Sequence, residues 1–571
     1  MYDKSVRIIV FSFVLLIVSF LSLIVRCFYL QFLKSDHYTA VCIEQQQKRV
    51  PQKPQRGVIL DCRGRVLAAS NKIQTIFAEP RVIKDFKNTS TELAAILDIG
   101  AHEICELITE SKNPGFAKIK VGAKENQCSA VNKIYGIGVQ SDWQRYYPMG
   151  RLATHIVGFT SVDNRGLSGI ELQYNTELSG LAGQNVFLAD AYPHRRPIRH
   201  YEQQEEQNSR LTDGVGIILT TDATIQQFAR AELLKQYENV EAESAVAIVA
   251  EPKTGAILAL VCLPDFDPNN IRSAEPNNFR NRAITDQFEP GSLLKPIAAA
   301  IALDAGTIEP NEKIFCELGH YQGKGFGRIG EYGNHQFGDL TVREVLTFSS
   351  NIGMAKIGQR IGKDKLYKGL KFFGFGRKTG IDLPGEAEGL LAPVQDWTGY
   401  SVTRIPFGQE ISVTAIQLVR AFCILANGGR SVRPFLVKAM VDNNGKIVKL
   451  KRPSRAAVGF VVKPEVAQWI VTDALTGVVN EGTGRRAKLE KWQVFGKTGT
   501  AQLAKSNERG YSESDYVASF VAGAPAEEPA AVVLVSINKP NIKLGKGYTG
   551  GTIAAPVAAR ILEKTLNYLE R

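Results

Sequence analysis

Eighteen consecutive residues, Ile8 to Val25, carry no charge, and Ser12, Ser19 and Ser22 are their only polar members. A helix rises about 1.5 Å per residue, so a run of this length approaches the thickness of a bilayer's hydrocarbon core. The apolar character resumes after Arg26 with Cys27, Phe28, Tyr29 and Leu30, which predicts one transmembrane helix over 8–30. A cleaved signal peptide would have an apolar core of about 7–15 residues and then small residues; here the run is longer and aromatics follow it. Bulky Val25 and Arg26 before Cys27 argue against a lipoprotein site. Lys4 and Arg7 mark residues 1–7 as a cytoplasmic tail, because positive flanks stay inside. The chain is therefore expected in the inner (cytoplasmic) membrane, single-pass, with the remainder extracytoplasmic. ATP and nicotinamide cofactors are scarce there, which favours self-contained hydrolysis or group transfer.

At 571 residues the chain should hold two or three domains, since a domain usually takes about 100–200 residues. Apolar residues make up 44% and charged residues 22%, near globular averages. The net charge of +12 is mild over this length. It permits an anionic lipid or polymer and implies no nucleic acid. None of the eight cysteines (27, 42, 62, 105, 128, 262, 316, 423) forms a C-x-x-C pair, so buried free thiols are expected. The seven histidines show no H-x-x-x-H spacing, and His194 and His200, six apart in a polar stretch, do not make a metal site. No metal and no cofactor is expected.

Residues 31–55 are polar and Gln/Lys-rich and read as a stalk. Residues 56–70 show two short apolar runs about a glycine-containing turn, a hairpin pattern. Mixed strand and helix signals follow to about 205, and the charged segment His194 to Arg210 reads as a domain boundary. The expected domains are 31–210 and 214–571. Beyond the boundary, Ala223 to Tyr237 reads as a helix with Ile225, Phe228, Ala229 and Leu233 on one face. Ser244 to Ala250 and Ala256 to Val261 read as strands about a turn at Lys253-Thr254-Gly255. Further strands are expected at 494–496 and 531–537, and a last helix at 554–569. Strands flanked by terminal helices imply an α+β domain, an antiparallel sheet packed with helices.

The chemistry-bearing candidate is FEPGSLLKPIAAAIALDAG, in which Ser292 and Lys295 are i, i+3 and so neighbours on one helix face. Pro296 is tolerated only in a first helical turn, so the helix should begin at or just before Ser292. That would place the hydroxyl at the positive end of the helix dipole. An unassisted serine is a weak nucleophile; a lysine serves as its base if burial and nearby cations keep it neutral. There is no G-x-S-x-G elbow. S-x-x-K recurs at Ser536–Lys539, at the end of an expected strand where i and i+3 face oppositely. S-x-N recurs at Ser111–Asn113 and Ser536–Asn538. K-T-G recurs at the Lys253 turn and in the glycine-rich connection at Lys378. Only Lys497-Thr498-Gly499-Thr500 follows a β-like run and opens a polar stretch. G-x-G-x-x-G at Gly325–Gly330 has no expected strand before it and reads as a loop near the mouth of the site. Gly496-Lys497-Thr498 mimics a phosphate loop but has Lys491 where that loop's first glycine belongs.

The informative signal is the ordered set Ser292-x-x-Lys295, Ser349-x-Asn351, Lys497-Thr498-Gly499, a combination found in penicillin-binding proteins and related β-lactamases. With it the chain resembles the class B penicillin-binding proteins over nearly its whole length. RNRAITDQFEPGSLLKP is most similar to the division-type (FtsI-like) branch. RYYPMGRLATHIVGF, GLSGIELQYN, FGQEISVTAIQLV, FGKTGTAQ and GYTGGTIAAPV are also family-like. RGVILDCRGRVLA departs from the family pattern at Cys62, where an arginine is usual.

The resemblance implies a penicillin-binding transpeptidase fold above an N-terminal mixed pedestal (dimerisation-type) domain. It implies a peptidoglycan D,D-transpeptidase that cross-links stem peptides of septal wall through a serine acyl-enzyme, with carboxypeptidase activity where water replaces the amine. Ser292 attacks the D-Ala-D-Ala carbonyl and Lys295 takes its proton. Ser349 relays a proton to the leaving D-Ala, and Asn351 orients Lys295 and the substrate amide. Lys497, Thr498 and Thr500 hold the terminal carboxylate, Gly499 lets substrate lie close along the strand, and the Ser292 and Thr500 N–H groups form the oxyanion hole. β-Lactams would trap the same acyl-enzyme. SEDS-type glycosyltransferases and other division proteins are the implied membrane partners. Three alternatives stand: a β-lactamase or carboxypeptidase, an elongation-type transpeptidase, and a scaffold that activates a glycosyltransferase.

Overall fold

The computed structural model describes residues 2–111, 113, 115–188, 211–450, 459–505 and 510–570. The boundary expected at His194–Arg210 and the His194/His200 pair lie outside them. Two compact units emerge: residues 1–54 with 180–213, and residues 55–179 with 214–571.

In the first unit, Tyr2–Phe28 is one helix. With the turn that follows, the helical span is Asp3–Leu33; its most apolar 18-residue window has mean hydropathy 3.1, and none of that window is buried. It is long and apolar enough to cross a membrane. Within the expected polar stalk, Ser35–Gln46 is helical, and Gln47–Gln52 pairs antiparallel with Gly183–Leu188. Strand pairing supplies partners for backbone groups that sequence polarity alone cannot assign.

The second unit holds two large sheets. The expected hairpin forms from Ile59–Leu60 and Val66–Ala78, and the long strand continues into pairing with Ile137–Tyr146 and Ala117–Val121. Ile59–Leu60 also runs parallel to Ile217–Ile218, so this seven-stranded sheet draws strands from both sides of residue 210. Small helices cover one end of it, with Leu93, Leu97, Ile104 and Val131 buried around Ile76. Beside it Glu171 is fully buried between Arg56 (2.5 Å) and Arg145 (2.6 Å). Arg56 also donates to Asn175, Ser179 and the Asn164 carbonyl, the paired arrangement that a buried charge requires.

The five-stranded sheet carries the site. Its order is 495–504, 511–524, 531–538, 244–250, 257–263, and every neighbour is antiparallel. Side chains alternate faces. Ala245, Ala247, Val249, Phe520, Val533 and Val535 pack under the terminal helices Ala223–Asn239 and Ala555–Leu569. Val246, Ile248, Val521, Val532 and Leu534 face the other core. That core contains the helix Ala415–Ala426, buried at every position, and the helix Lys295–Asp304. Cover on both faces is why these strands read as continuous apolar runs. The edge strand Phe495–Ala504 has one side unpaired, and there the functional motifs gather. Among the described cysteines, 128, 262, 316 and 423 are buried free thiols, 62 and 105 are half-buried, and Cys27 is exposed.

Candidate active site

The turn that presents Ser292 is built from glycines. Gly291 adopts φ 52°, and its N–H donates to the Gly408 carbonyl at 3.1 Å. Gly408 itself has φ 86°, and a Cβ there would lie 2.1 Å from the Gly291 carbonyl oxygen. Only glycine combines that left-handed backbone with so close an approach. Gly291–Leu294 forms a 3-10 turn and the α-helix proper is Lys295–Asp304. The helix therefore starts three residues later than expected, with Pro296 in its first turn, where no intrahelical N–H bond is lost. Ser292 is half-buried and lines a cavity of about 370 Å³.

Lys295 and Lys497 are fully buried and both bond Ser349, which lines this cavity. Lys295 Nζ reaches the Ser349 carbonyl (2.5 Å), Asn351 Oδ1 (2.8 Å) and Ser349 Oγ (3.2 Å). Lys497 Nζ donates to the same Ser349 Oγ at 2.9 Å. Burial pushes Lys295 down to about 7, against the pull of the Glu331 carboxylate. Burial pushes Lys497 well below the usual lysine range, and the charge of Lys295 pushes it further. Two cations around one hydroxyl repel strongly at low dielectric, so the pair favours at least one neutral amine. A neutral Lys295 directs its two N–H groups to the two acceptor-only oxygens and keeps a lone pair for a proton.

Ser349 sits at φ 62°, unusual for a non-glycine residue, in the tight turn between the helices Val342–Thr347 and Asn351–Ile361. Ser350 caps the second helix through Gly353 N–H (2.9 Å). Asn351 Nδ2 donates to the Gly330 carbonyl at 3.1 Å, which turns Oδ1 toward Lys295.

The sequence reading missed Glu331. This buried carboxylate accepts from Ser350 Oγ (2.5 Å), Asn351 N (2.7 Å) and Ile352 N (3.2 Å). It occupies the N-terminus of the Asn351 helix, where an anion is favoured, and so fixes the S-x-N turn. No local pattern announces it: it arrives from the hairpin His320–Gly323 / Gly327–Gly330. That hairpin also corrects the loop expected at Gly325–Gly330. A strand does precede the glycines, but Gly327–Gly330 is itself a second strand where a dinucleotide site needs a helix.

The Lys497 motif lies within the edge strand, which runs on through it to Ala504. Thr498 and Thr500 line the cavity. Thr498 Oγ1 shares a hydrogen bond with Thr483 Oγ1 (2.7 Å), and Thr500 Oγ1 accepts from Gly550 N (3.1 Å). Gly499 does not line the cavity. A Cβ on it would lie 2.8 Å from Leu293 Cγ and 3.2 Å from the Pro290 carbonyl. Its missing side chain lets the Ser292 turn pack on the strand. The decoys separate cleanly. Lys253–Gly255 is a hairpin turn, Ser536 bonds Ser519 within the sheet (2.9 Å), and Thr379 bonds Glu386 in a connection. Among the described residues no cluster of three or more metal-ligating side chains occurs.

One cavity thus gathers a half-buried serine, a second serine that bridges two buried lysines, and an edge strand, an arrangement chemically suited to serine acyl transfer with a lysine as base. Residues 245–563 match the penicillin-binding protein transpeptidase domain, and residues 51–210 match the penicillin-binding protein dimerisation domain. The chain is 35% identical to stage V sporulation protein D of Bacillus subtilis, over 97% of this chain and 85% of that protein. It is 29% identical to the peptidoglycan D,D-transpeptidase FtsI of Escherichia coli, over 89% and 82%. Penicillin-binding protein 3 of Mycobacterium tuberculosis, in complex with aztreonam, superposes with TM-score 0.70 at 25% identity, covering 91% of this chain and 97% of that one. The chain belongs to the class B penicillin-binding proteins, and its enzymatic domain is a serine-type D,D-transpeptidase domain.

Proposed function

We propose that Ser292 is the nucleophile that opens the terminal D-Ala-D-Ala bond of a peptidoglycan stem peptide and carries the acyl group to a second stem. The observation that carries this is the convergence of two fully buried lysines on the hydroxyl of Ser349, which lines the same cavity as Ser292. Ser292 Oγ gives its proton to Lys295 Nζ as it bonds to the carbonyl carbon. The peptide C–N bond then breaks, and the departing D-Ala amine takes a proton through Ser349 between Lys295 and Lys497. Asn351 holds Lys295 in place. Thr498 and Thr500, with Lys497 below, bind the terminal carboxylate, and the Ser292 and Thr500 N–H groups stabilise the oxyanion. Gly499 supports the turn. The same steps make a β-lactam a covalent inhibitor.

We further read 1–7 as cytoplasmic tail, 8–30 as membrane span, 31–210 as pedestal and 214–571 as the catalytic domain, held outside the cytoplasm. A septal role beside a SEDS-type glycosyltransferase and other division proteins follows from the FtsI resemblance. The higher identity to a sporulation protein favours a second reading, wall synthesis at one developmental stage. Full-length protein should be labelled covalently by a fluorescent penicillin, and Ser292→Ala should abolish it; surviving label sinks the nucleophile. Depletion in growing cells separates the roles. Filaments mean septal synthesis; normal growth with a developmental defect means the second reading.

A further inference from the structure

Transfer needs a second substrate that the machinery above does not address. The acceptor amine of a neighbouring stem arrives protonated at neutral pH, and a cation entering a partly enclosed cavity needs an anion to meet it. Glu289 and Glu331 are the two carboxylates among the described residues lining the cavity. Glu331 is committed, since its oxygens take three donors at the Asn351 helix.

Glu289 is different. It lies three residues before Ser292 and is half-buried. Tyr511 Oη reaches both its oxygens (3.3 and 3.0 Å), and Glu410 N–H donates to Oε1 at 3.0 Å. A carboxylate offers about four lone-pair sites, so Oε2, with the tyrosine as its one partner among these bonds, retains acceptor capacity. Burial raises the pKa of Glu289, so its charged form gains from a cation beside it. Gln409 and Gln502 also line the cavity, without charge. A purely structural role would need only an acceptor for Glu410 N–H and Tyr511, which a glutamine supplies.

We propose that Glu289 binds the protonated acceptor amine of the second stem peptide and takes its first proton. This rests on the D,D-transpeptidase reading. The freed amine attacks the acyl-enzyme carbonyl, so a C–N bond forms and the ester C–Oγ bond to Ser292 breaks. The second proton passes through Lys295 to Ser292 Oγ. Glu289 returns the first to water at the mouth, and no other reactant is consumed.

The test uses full-length protein in detergent, a D-Ala-ending thioester donor and two acceptors. One is the side-chain amine of a blocked lysine peptide, charged at pH 7. The other is hydroxylamine, uncharged at that pH. Glu289→Gln should raise KM for the lysine acceptor at least about tenfold, the effect of losing one charge-assisted hydrogen bond. It should leave KM for hydroxylamine within about twofold, and Glu289→Asp should recover part of the loss. Equal changes for both acceptors, or none for the charged one, overturn the proposal. Penicillin acylation of each variant separates the cases. If Glu289→Gln no longer acylates, Glu289 belongs to the framework of the nucleophile and the proposal fails. If wild type and Ser292→Ala label alike, the transpeptidase reading itself fails.

Discussion

Replacing Glu331 with glutamine should move the pH dependence of acylation downward. Burial sets Lys295 at about 7, and Glu331 is the charge that pulls against it. Asn351 touches both groups, Lys295 at 2.8 Å through Oδ1 and Glu331 at 2.7 Å through its N–H. An opposite charge at such range raises a lysine by about 1–3 units, and one intervening residue favours the lower end. Without it the lysine should titrate near pH ~6. Lys295 acts as base only when neutral, so acylation rises with pH through its pKa. At pH 6 about a tenth of the wild-type lysine is neutral and about half of the variant's. The rate at pH 6, relative to each protein's own plateau, should therefore rise about fivefold. The plateau itself should fall, because a glutamine NH2 cannot accept from Asn351 N–H; losing a charge-assisted bond costs about 1.5–3 kcal/mol. The assay is the second-order rate of labelling by a fluorescent penicillin from pH 5 to 9, which reports the free enzyme. A lowered plateau with an unmoved or raised midpoint would refute the electrostatic argument and leave Glu331 as a helix cap alone.

Gly408→Ala should cut acylation about a hundredfold, because its Cβ would displace the Gly291 carbonyl and with it Ser292; near-normal labelling counts against the turn as a positioning element. Glu171→Gln should destabilise the second unit by about 3–5 kcal/mol, since it leaves two buried arginines without their anion. An unchanged denaturation midpoint speaks against that. Lys295→Met should raise the melting temperature while abolishing acylation. Lys295 has a folded pKa of about 7 against the ordinary 10.5, so the native state bears the full cost of burying the ammonium below pH 7 and sheds it as pH climbs toward 10.5. The gain should be largest at pH 6 and shrink above 7; a pH-independent gain would contradict the assignment. Deleting residues 1–33 should release the protein from the membrane fraction with penicillin labelling intact.

Much of the site was legible because its chemistry is local in sequence. Ser292 and Lys295 are three apart, and that spacing needs only a helical turn to bring them together. The apolar strands and the glycine turn at Gly255 were readable from period and turn chemistry alone. The order of the three motifs was readable too, though their convergence was not. Glu331, Gly408 and Glu289 escaped because each acts on a partner brought near by the fold: the Asn351 helix, the Gly291 carbonyl, Tyr511. The packing of Gly499 on Leu293 and Pro290 escaped too, since the side on which a strand glycine is crowded depends on what packs there.

The eighteen uncharged residues at the start had already committed this chain to a helix long and apolar enough to cross a membrane. Their meaning is set by length and solvation, which are properties of sequence. Whether Lys295 is a base is not such a property. Its pKa follows from complete burial against the pull of Glu331, and the dielectric around an amine exists only once the chain has closed over it.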